Sequence, residues 1–364
     1  MFLPVTLLAY LGRHFLLSLA AVLGALLALL LIADSIELLR RAAKREAVEL
    51  AQIAAMALLK LPSSAHKLLP FACLFGALAS FSRLTRSSEL VATRAAGVSV
   101  WQFLLPATLL AFLLGLLAVA VLNPLSAVLA LRFEILEAKF LEGRVSLLTV
   151  SPTGLWLRQG DRQGQQVVHA LRVSAEGMRL SEVTIYLYQG GDRFVGRLDA
   201  RQAQLLPGAW LLQDGLKTAA NGAVERFQDY RLPTSLTVAQ AQESFASPST
   251  LSFWTLPRFI DGLRQAGFSA LLHRLHWHSL LATPLLLAVM VPLAAAFSLR
   301  FHRRGGAGLV IGAGVLSGFL LYFLGDLVRA LGQSGSVPIV LAAWAPGAIS
   351  LLAALALLFH LEDG

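Results

Sequence analysis

Six long apolar runs constrain what this chain can fold into more than any other feature. They occupy residues 15–33, 68–84, 98–122, 280–299, 308–324 and 339–359. Crossing a bilayer as a helix takes about 20 mostly apolar residues. The runs therefore predict six transmembrane helices, three before and three after a long polar gap. The first run is apolar except for Ser18 and ends at Asp34. A secretory signal would have a shorter apolar core, about 7–15 residues, followed by a small-residue cleavage site. This run is longer and lacks a convincing site, so it reads as a retained span. Across the chain 57% of residues are hydrophobic and 14% charged, against about 45–50% and 25% in soluble domains. A soluble globule and a disordered chain are both excluded. A single cysteine, Cys73, excludes an intrachain disulfide framework and reads as a small packing residue within a span.

The gap has a different texture. Residues 132–264 hold 15 Lys and Arg against 13 Asp and Glu, so only +2 of the chain's +9 lies there. Short apolar runs recur at 145–150, 154–158, 166–173, 183–188 and 210–213. Turn signals punctuate them, such as Gly160-Asp161, Gly190-Gly191-Asp192, Pro207-Gly208 and Asn221-Gly222. Alternation with such punctuation predicts strands and hairpins, and the spacing favours an antiparallel sandwich, jellyroll or open barrel. The chain thus divides into 1–131, with three spans and a short helix over 84–97; 132–250, an inserted all-β domain; and 251–364, a connecting helix and three spans. The predicted fold class is an α-helical polytopic membrane protein, 3+3, with an inserted β-jellyroll-like domain. Amphipathic residues 255–275 lead into the fourth span. A second amphipathic stretch follows the first span, with Ile36, Leu39, Leu50 and Ile53 on one face. It reads as a helical extension on the membrane surface before Pro62.

With a cytoplasmic N-terminus, the short loops 84–97 and 300–307 are also cytoplasmic and carry Arg86, Arg94, Arg300, Arg303 and Arg304. This suits the positive-inside rule. The first outer loop, however, holds Arg40, Arg41, Lys44, Arg45, Lys60 and Lys67. Either the topology is inverted or those cations have a purpose on the outer face.

No G-x-x-x-x-G-K-[ST], G-x-S-x-G or H-E-x-x-H occurs, so no ATPase, elbow-type hydrolase or zincin chemistry is predicted in this chain. His273, His276 and His278 cluster around Trp277; they read as a polar interfacial belt, with a metal site as the alternative. Gly308 and Gly312, then Gly314 and Gly318, form two small-xxx-small pairs, the spacing that lets helices approach closely. They serve intrachain packing or a subunit interface equally well. Asp326 and Arg329 at that span's outer end are a buried functional pair or an i,i+3 pair at the water boundary.

The segment 86–99 reads Arg-Ser-Ser-Glu-Leu-Val-Ala-Thr-Arg-Ala-Ala-Gly-Val-Ser. Ser87 or Ser88 can cap a short helix, Glu89 sits near its positive end and Gly97 ends it. Such an exposed helix is either a docking element or a plain connector. Here the sequence resembles the coupling-helix signature of the LptF/LptG (YjgP/YjgQ) permeases. Further pieces of the resemblance are Leu68-Leu69-Pro70-Phe71, Gly76-Ala77-Leu78, Gly154-Leu155-Trp156-Leu157-Arg158, Ile185-Tyr186 and Ala342-Ala343-Trp344-Ala345-Pro346, in order from the first span to the last. The resemblance implies a membrane permease, not an enzyme, that extracts lipopolysaccharide from the inner membrane. It implies pairing with a second permease of the family and with a cytoplasmic ATPase dimer, LptB, which would bind the ATP and magnesium; this chain would hold no cofactor. LptC and the periplasmic bridge LptA would receive the lipid by way of the β-domain. Glu89, with Arg86 and Ser88, would engage the ATPase, and the first and fifth spans would form lateral gates. The basic pair Arg40 and Arg41 looks like that of G-type members and would meet lipid phosphates, with Lys44 and Arg45 behind it. Family members often carry another basic residue slightly earlier, where this chain has Asp34. A rival class, an anchoring or mechanotransmission protein, could use the same helix without admitting lipid. An ion-coupled transporter would need ionisable residues mid-span, and the span centres are nearly free of them.

Overall fold

A peptide group in hydrocarbon has no water to bond, so a spanning segment must satisfy its own backbone, which a helix does. The computed structural model describes residues 5–43, 49–142, 155–160, 165–174, 179–189, 193–234, 247–265, 269–301 and 307–362. Among them are six helices long and apolar enough to cross a membrane. Helix α1 covers Val5–Ala42 and α2 Leu50–Arg86. A short α3, Glu89–Ala95, precedes α4, Val100–Leu117, and α5, Asn123–Glu137. After the β-domain come α6, Leu256–Gln265; α7, Leu271–Phe301; α8, Ala307–Gln333; and α9, Ile339–Glu362. The chain divides into two compact units. One is Met1–Ala130 with Ser252–Trp254 and Leu271–Gly364; the other is Leu131–Leu251 with Thr255–Ala270.

In the first unit, α2 departs from the expected surface extension. Residues 50–61 are the opening turns of a helix that continues through Pro62 and Pro70. Ile53, Met56 and Ala57, spaced as one helical stripe, are 5%, 0% and 2% exposed. A stripe buried that fully in protein does not lie on lipid headgroups. The stretch past Ala33 likewise continues α1 to Ala42.

Leu11, Phe15, Leu74, Phe81, Phe103 and Leu287 share one buried cluster in this unit. With no hydrophobic drive between helices in lipid, cohesion rests on close packing. A Cβ on Gly76 would stand 2.7 Å from the Leu19 Cα of α1, and one on Gly115 would collide with the Pro284 Cα of α7. These glycines set two crossings at which the backbone itself is the neighbour. Between α4 and α5 a π-helical turn, Ala118–Leu122, interrupts the ladder. Such a turn frees carbonyls, and the Trp254 Nε1 donates to that of Ala120 at 3.3 Å. Buried Asn123 accepts the Phe253 amide proton at 2.7 Å through its Oδ1.

The second unit holds one antiparallel sheet in the order β1-β2-β3-β4-β5-β6. The strands are Leu155–Gly160, Gln165–Ser174, Arg179–Gln189, Arg193–Leu206, Ala209–Ala219 and Val224–Pro233. The expected run at 145–150 lies outside the described residues. Pro207-Gly208 and Asn221-Gly222 turn the last two hairpins, with φ of 79° and 84° at the glycines. One face carries Val168, Leu180, Ile185, Leu198, Trp210 and Leu212 into a common core. The ladder skips a pair at Glu182 and again at Asp214, both at positive φ, and such irregularities increase local twist.

Gly76→Ala and Gly115→Ala are each expected to destabilise the membrane unit by about 1–3 kcal/mol, the cost of overpacking. Gly312→Ala, where a Cβ would meet nothing within 4 Å, is expected to be neutral. Thermal unfolding midpoints in one detergent check the contrast.

Candidate functional site

Two polar clusters stand out in the membrane unit, one near each end of α1. The first surrounds α3. Helix α2 ends at Arg86, and Ser88 stands at φ 59°, turning the chain sharply into α3. The expected serine cap is not made. The Ser87 hydroxyl donates back to the Arg83 and Leu84 carbonyls at 3.2 and 3.3 Å, and the Ser88 side chain makes no cap bond. A left-handed Ser88 does not aim its hydroxyl at the amides of the first turn. The end at Gly97 forms as expected. With φ at 85°, the Gly97 amide donates to the Arg94 carbonyl at 2.9 Å and the Val98 amide to that of Thr93 at 3.3 Å, a Schellman closure. Ser99 and Gln102 then cap α4 reciprocally, each bond 3.2 Å.

Within α3, Leu90 is buried in the cluster with Leu84 and Val100, whereas Arg86, Ser88 and Arg94 are exposed. Glu89 is half-buried because α1 reaches it: the Tyr10 hydroxyl donates to Glu89 Oε2 at 2.8 Å. Tyr10 packs edge-on against His14, with centroids 4.5 Å apart. The Tyr10 hydroxyl holds the Glu89 carboxyl below the usual carboxylate range, with Ser87 adding to it. Glu89 is thus ionised at neutral pH, and this contact is lost only as pH falls through that depressed value. The sequence reading missed Tyr10. Its only signal was a polar pair, Tyr10 and His14, one turn apart ahead of the apolar run.

The second cluster lies at the far end of α1. Arg40 donates through Nε and an Nη to both Glu37 oxygens at 2.8 and 2.9 Å, a fork well exposed to solvent. Asp34 accepts from Lys60 of α2 at 2.6 Å, a pairing between two helices that no local spacing revealed. Lys44 and Arg45 lie outside the described residues, as do the side-chain surroundings of Gly308.

The glycine pairs of α8 separate into two kinds. A Cβ on Gly314 would stand 2.5 Å from Leu78 of α2, and one on Gly318 3.1 Å from Leu74. These two serve intrachain packing, whereas Gly312 faces open space. Asp326 and Arg329 are both exposed. Among the described residues no group of three His, Cys, Asp or Glu side chains is disposed to hold a metal ion. His273 is buried, and the Trp277 ring stacks on Phe253.

The spans differ sharply in burial. In their most apolar stretches, 72% of residues are buried in α7 and 56% in α2, but only 11% in α1 and 11% in α8. Leu16, Leu17, Leu29 and Ile32 of α1 and Leu316, Phe319, Leu320 and Phe323 of α8 are exposed. Helices α1 and α4 also flank an open apolar groove of about 840 Å³, with Gly12, Leu16, Leu105 and Leu109 in its walls.

Asp34→Asn and Lys60→Met, alone and combined, are expected to show a coupling of about 0.5 kcal/mol in unfolding free energy, as half-exposed ion pairs do. Zero coupling would mean the bridge does not tie α1 to α2 in the membrane.

Comparison with known proteins bears on what these clusters serve. The family described as "Lipopolysaccharide export system permease LptF/LptG" matches residues 9–360. A relative named "Lipopolysaccharide export system permease protein LptG", from Haemophilus influenzae, is 24% identical over 355 residues, covering 93% of each chain.

Proposed function

Because the chain belongs to the LptF/LptG family, and so is a multi-pass inner-membrane permease subunit of a lipopolysaccharide-export transporter, we propose a specific division of labour among its parts. Helix α3 docks a cytoplasmic ATPase, α1 and α8 border the path by which lipopolysaccharide enters, and the β-domain, in the periplasm, passes the lipid to a bridge toward the outer membrane. The relative named LptG and the basic pair favour the G-type, with an F-type permease as the partner.

The uneven burial of the spans carries this reading. Helices α1 and α8 bury 11% of their apolar stretches where α7 buries 72%, so both lie at the periphery of the bundle with apolar faces turned outward. Those open faces suit a second permease and the acyl chains of a lipid held between the two.

Lipid A presents phosphates at the outer leaflet. The Arg40 guanidinium already grips one planar anion, the Glu37 carboxylate, in fork geometry. A phosphate satisfies the same fork. Exchanging Glu37 for a phosphate costs little because the pair is solvated. Arg41 stands beside Arg40, and Lys60 lies across from α1 on α2. In the transport step, ATPase closure shifts α3, the space between the permeases narrows, and the lipid moves toward the β-domain.

In a reconstituted transporter, a photocrosslinker at exposed Leu39 is expected to capture lipopolysaccharide. Charge reversal at both Arg40 and Arg41 is expected to lower that capture about tenfold; undiminished capture sinks the phosphate contact. Glu89→Ala is expected to reduce co-purification of the ATPase. Full ATPase recovery with full lipid export would refute the docking role of α3.

A further inference from the structure

The contact between Tyr10 and Glu89 joins residues 79 positions apart, one on a span that ties with α8 for the lowest burial and the other on the seven-residue α3. Near α1's first turns, Leu11 and Phe15 point into the core cluster while Tyr10 stands at its rim, 41% exposed. The edge-on contact with His14 orients the Tyr10 ring. Helix α3 is pegged by Leu90, and its first residue is the one that α1 holds.

We propose that Tyr10 is a positioning residue for energy coupling: its hydroxyl holds Glu89 while α3 is free and yields it when the ATPase docks, so that docking releases the cytoplasmic end of α1. The proposal rests on the reading of α3 as the docking helix and adds the route by which docking reaches a spanning helix.

The chemistry suits an exchange. A carboxylate only accepts hydrogen bonds, and Tyr10 gives it one donor. Any protein groove that grips Glu89 must bring donors of its own, which then compete with the phenol for the same oxygens. The contact is solvated, so water can bridge the change, and giving it up costs little. Leu90, one residue along, keeps α3 seated while its acidic end changes partner. Because Tyr10 lies on α1, what is let go is the end of a helix that buries little of itself elsewhere.

Tyr10→Phe keeps the ring against His14 and deletes only the donor. A brace and a competitor then predict opposite results. If Tyr10 merely braced α3, its loss would weaken ATPase binding. If Tyr10 competes for Glu89, its loss strengthens binding.

The experiment titrates purified ATPase subunit onto the complete permease pair in lipid nanodiscs and, in parallel, measures lipopolysaccharide released per ATP hydrolysed in proteoliposomes. Tyr10→Phe is expected to tighten ATPase binding about threefold and to lower the lipid-to-ATP ratio, since docking no longer has a tether to release. Tyr10→Leu, lacking the ring as well, is expected to shift binding in the same direction. In a Glu89→Ala background Tyr10→Phe is expected to change nothing, as for any pair that acts through one contact. Weaker or unchanged binding in Tyr10→Phe, or an unaltered lipid-to-ATP ratio, overturns the tether. If Glu89→Ala itself leaves ATPase binding intact, the docking reading of α3 falls, and the tether with it. If Glu89→Ala weakens binding while Tyr10→Phe does not tighten it, the tether alone falls.

Discussion

Hydrocarbon offers a peptide group no partner, so each spanning segment must close its own hydrogen bonds, and helices are what remain. The same medium removes the hydrophobic drive that would press those helices together. What holds them is the shape of the contact. At Gly76 the neighbour is the backbone of Leu19, and at Gly115 it is that of Pro284. Ser82 and Ser298, 3.3 Å apart, bridge α2 and α7, but several other hydroxyls within the spans fold back onto their own helix. Ser35 donates to Leu31, Thr283 to Ser279 and Ser350 to Pro346, at 2.6 to 3.0 Å. The apolar interior is therefore cohesive mainly by packing, and among the described residues α1 makes cross-helix polar contacts through Tyr10 and Asp34.

Much of this was legible in order along the chain. Each apolar run marked a helix because length and composition alone decide whether a segment crosses a bilayer. The hairpin turns at Pro207-Gly208 and Asn221-Gly222 were legible because positive φ demands glycine there. Strands β4 and β6 were not. The inward face of β4 is built partly from Ala200 and Ala203, and β6 is an edge strand exposed at most positions, so neither shows an alternating apolar run. The continuity of α2 through Pro62 was hidden for another reason. A proline breaks a helix that stands alone, but packing of Ile53, Met56 and Ala57 on one side of it and Leu69 and Ala72 on the other holds the axis.

The candidate sites were legible only as inventories. Glu89 and the Arg40–Arg41 pair could be named from spacing and resemblance. Their partners could not, because Tyr10 and Glu89 are far apart in sequence and Lys60 lies on a different helix from Asp34. The serine cap failed for a local reason that spacing does not encode: a left-handed Ser88 sends its side chain away from the helix it precedes. The glycine pairs were equally ambiguous on paper. They separate only once Leu74 and Leu78 are seen to fill the space before Gly318 and Gly314 and nothing fills that before Gly312.

These observations meet on α1. It buries less of itself than any span except α8, yet cross-helix polar contacts hold it near both ends: Tyr10 to Glu89 of α3, and Asp34 to Lys60 of α2. The 24 residues between Tyr10 and Asp34 span about 36 Å of helix, close to the thickness of a hydrocarbon core of about 30 Å. The two contacts are therefore separated by about one hydrocarbon thickness along α1. A helix fixed by deep packing moves only if the core moves with it, because packed interiors do not deform continuously. At the Tyr10 end a change of hydrogen-bond partner removes one tie, while Leu11, Phe15 and the Leu19 crossing at Gly76 keep α1 packed against the core. Low burial, an end contact that water can replace and one close crossing at Gly76 are what the proposed release of α1 requires of it.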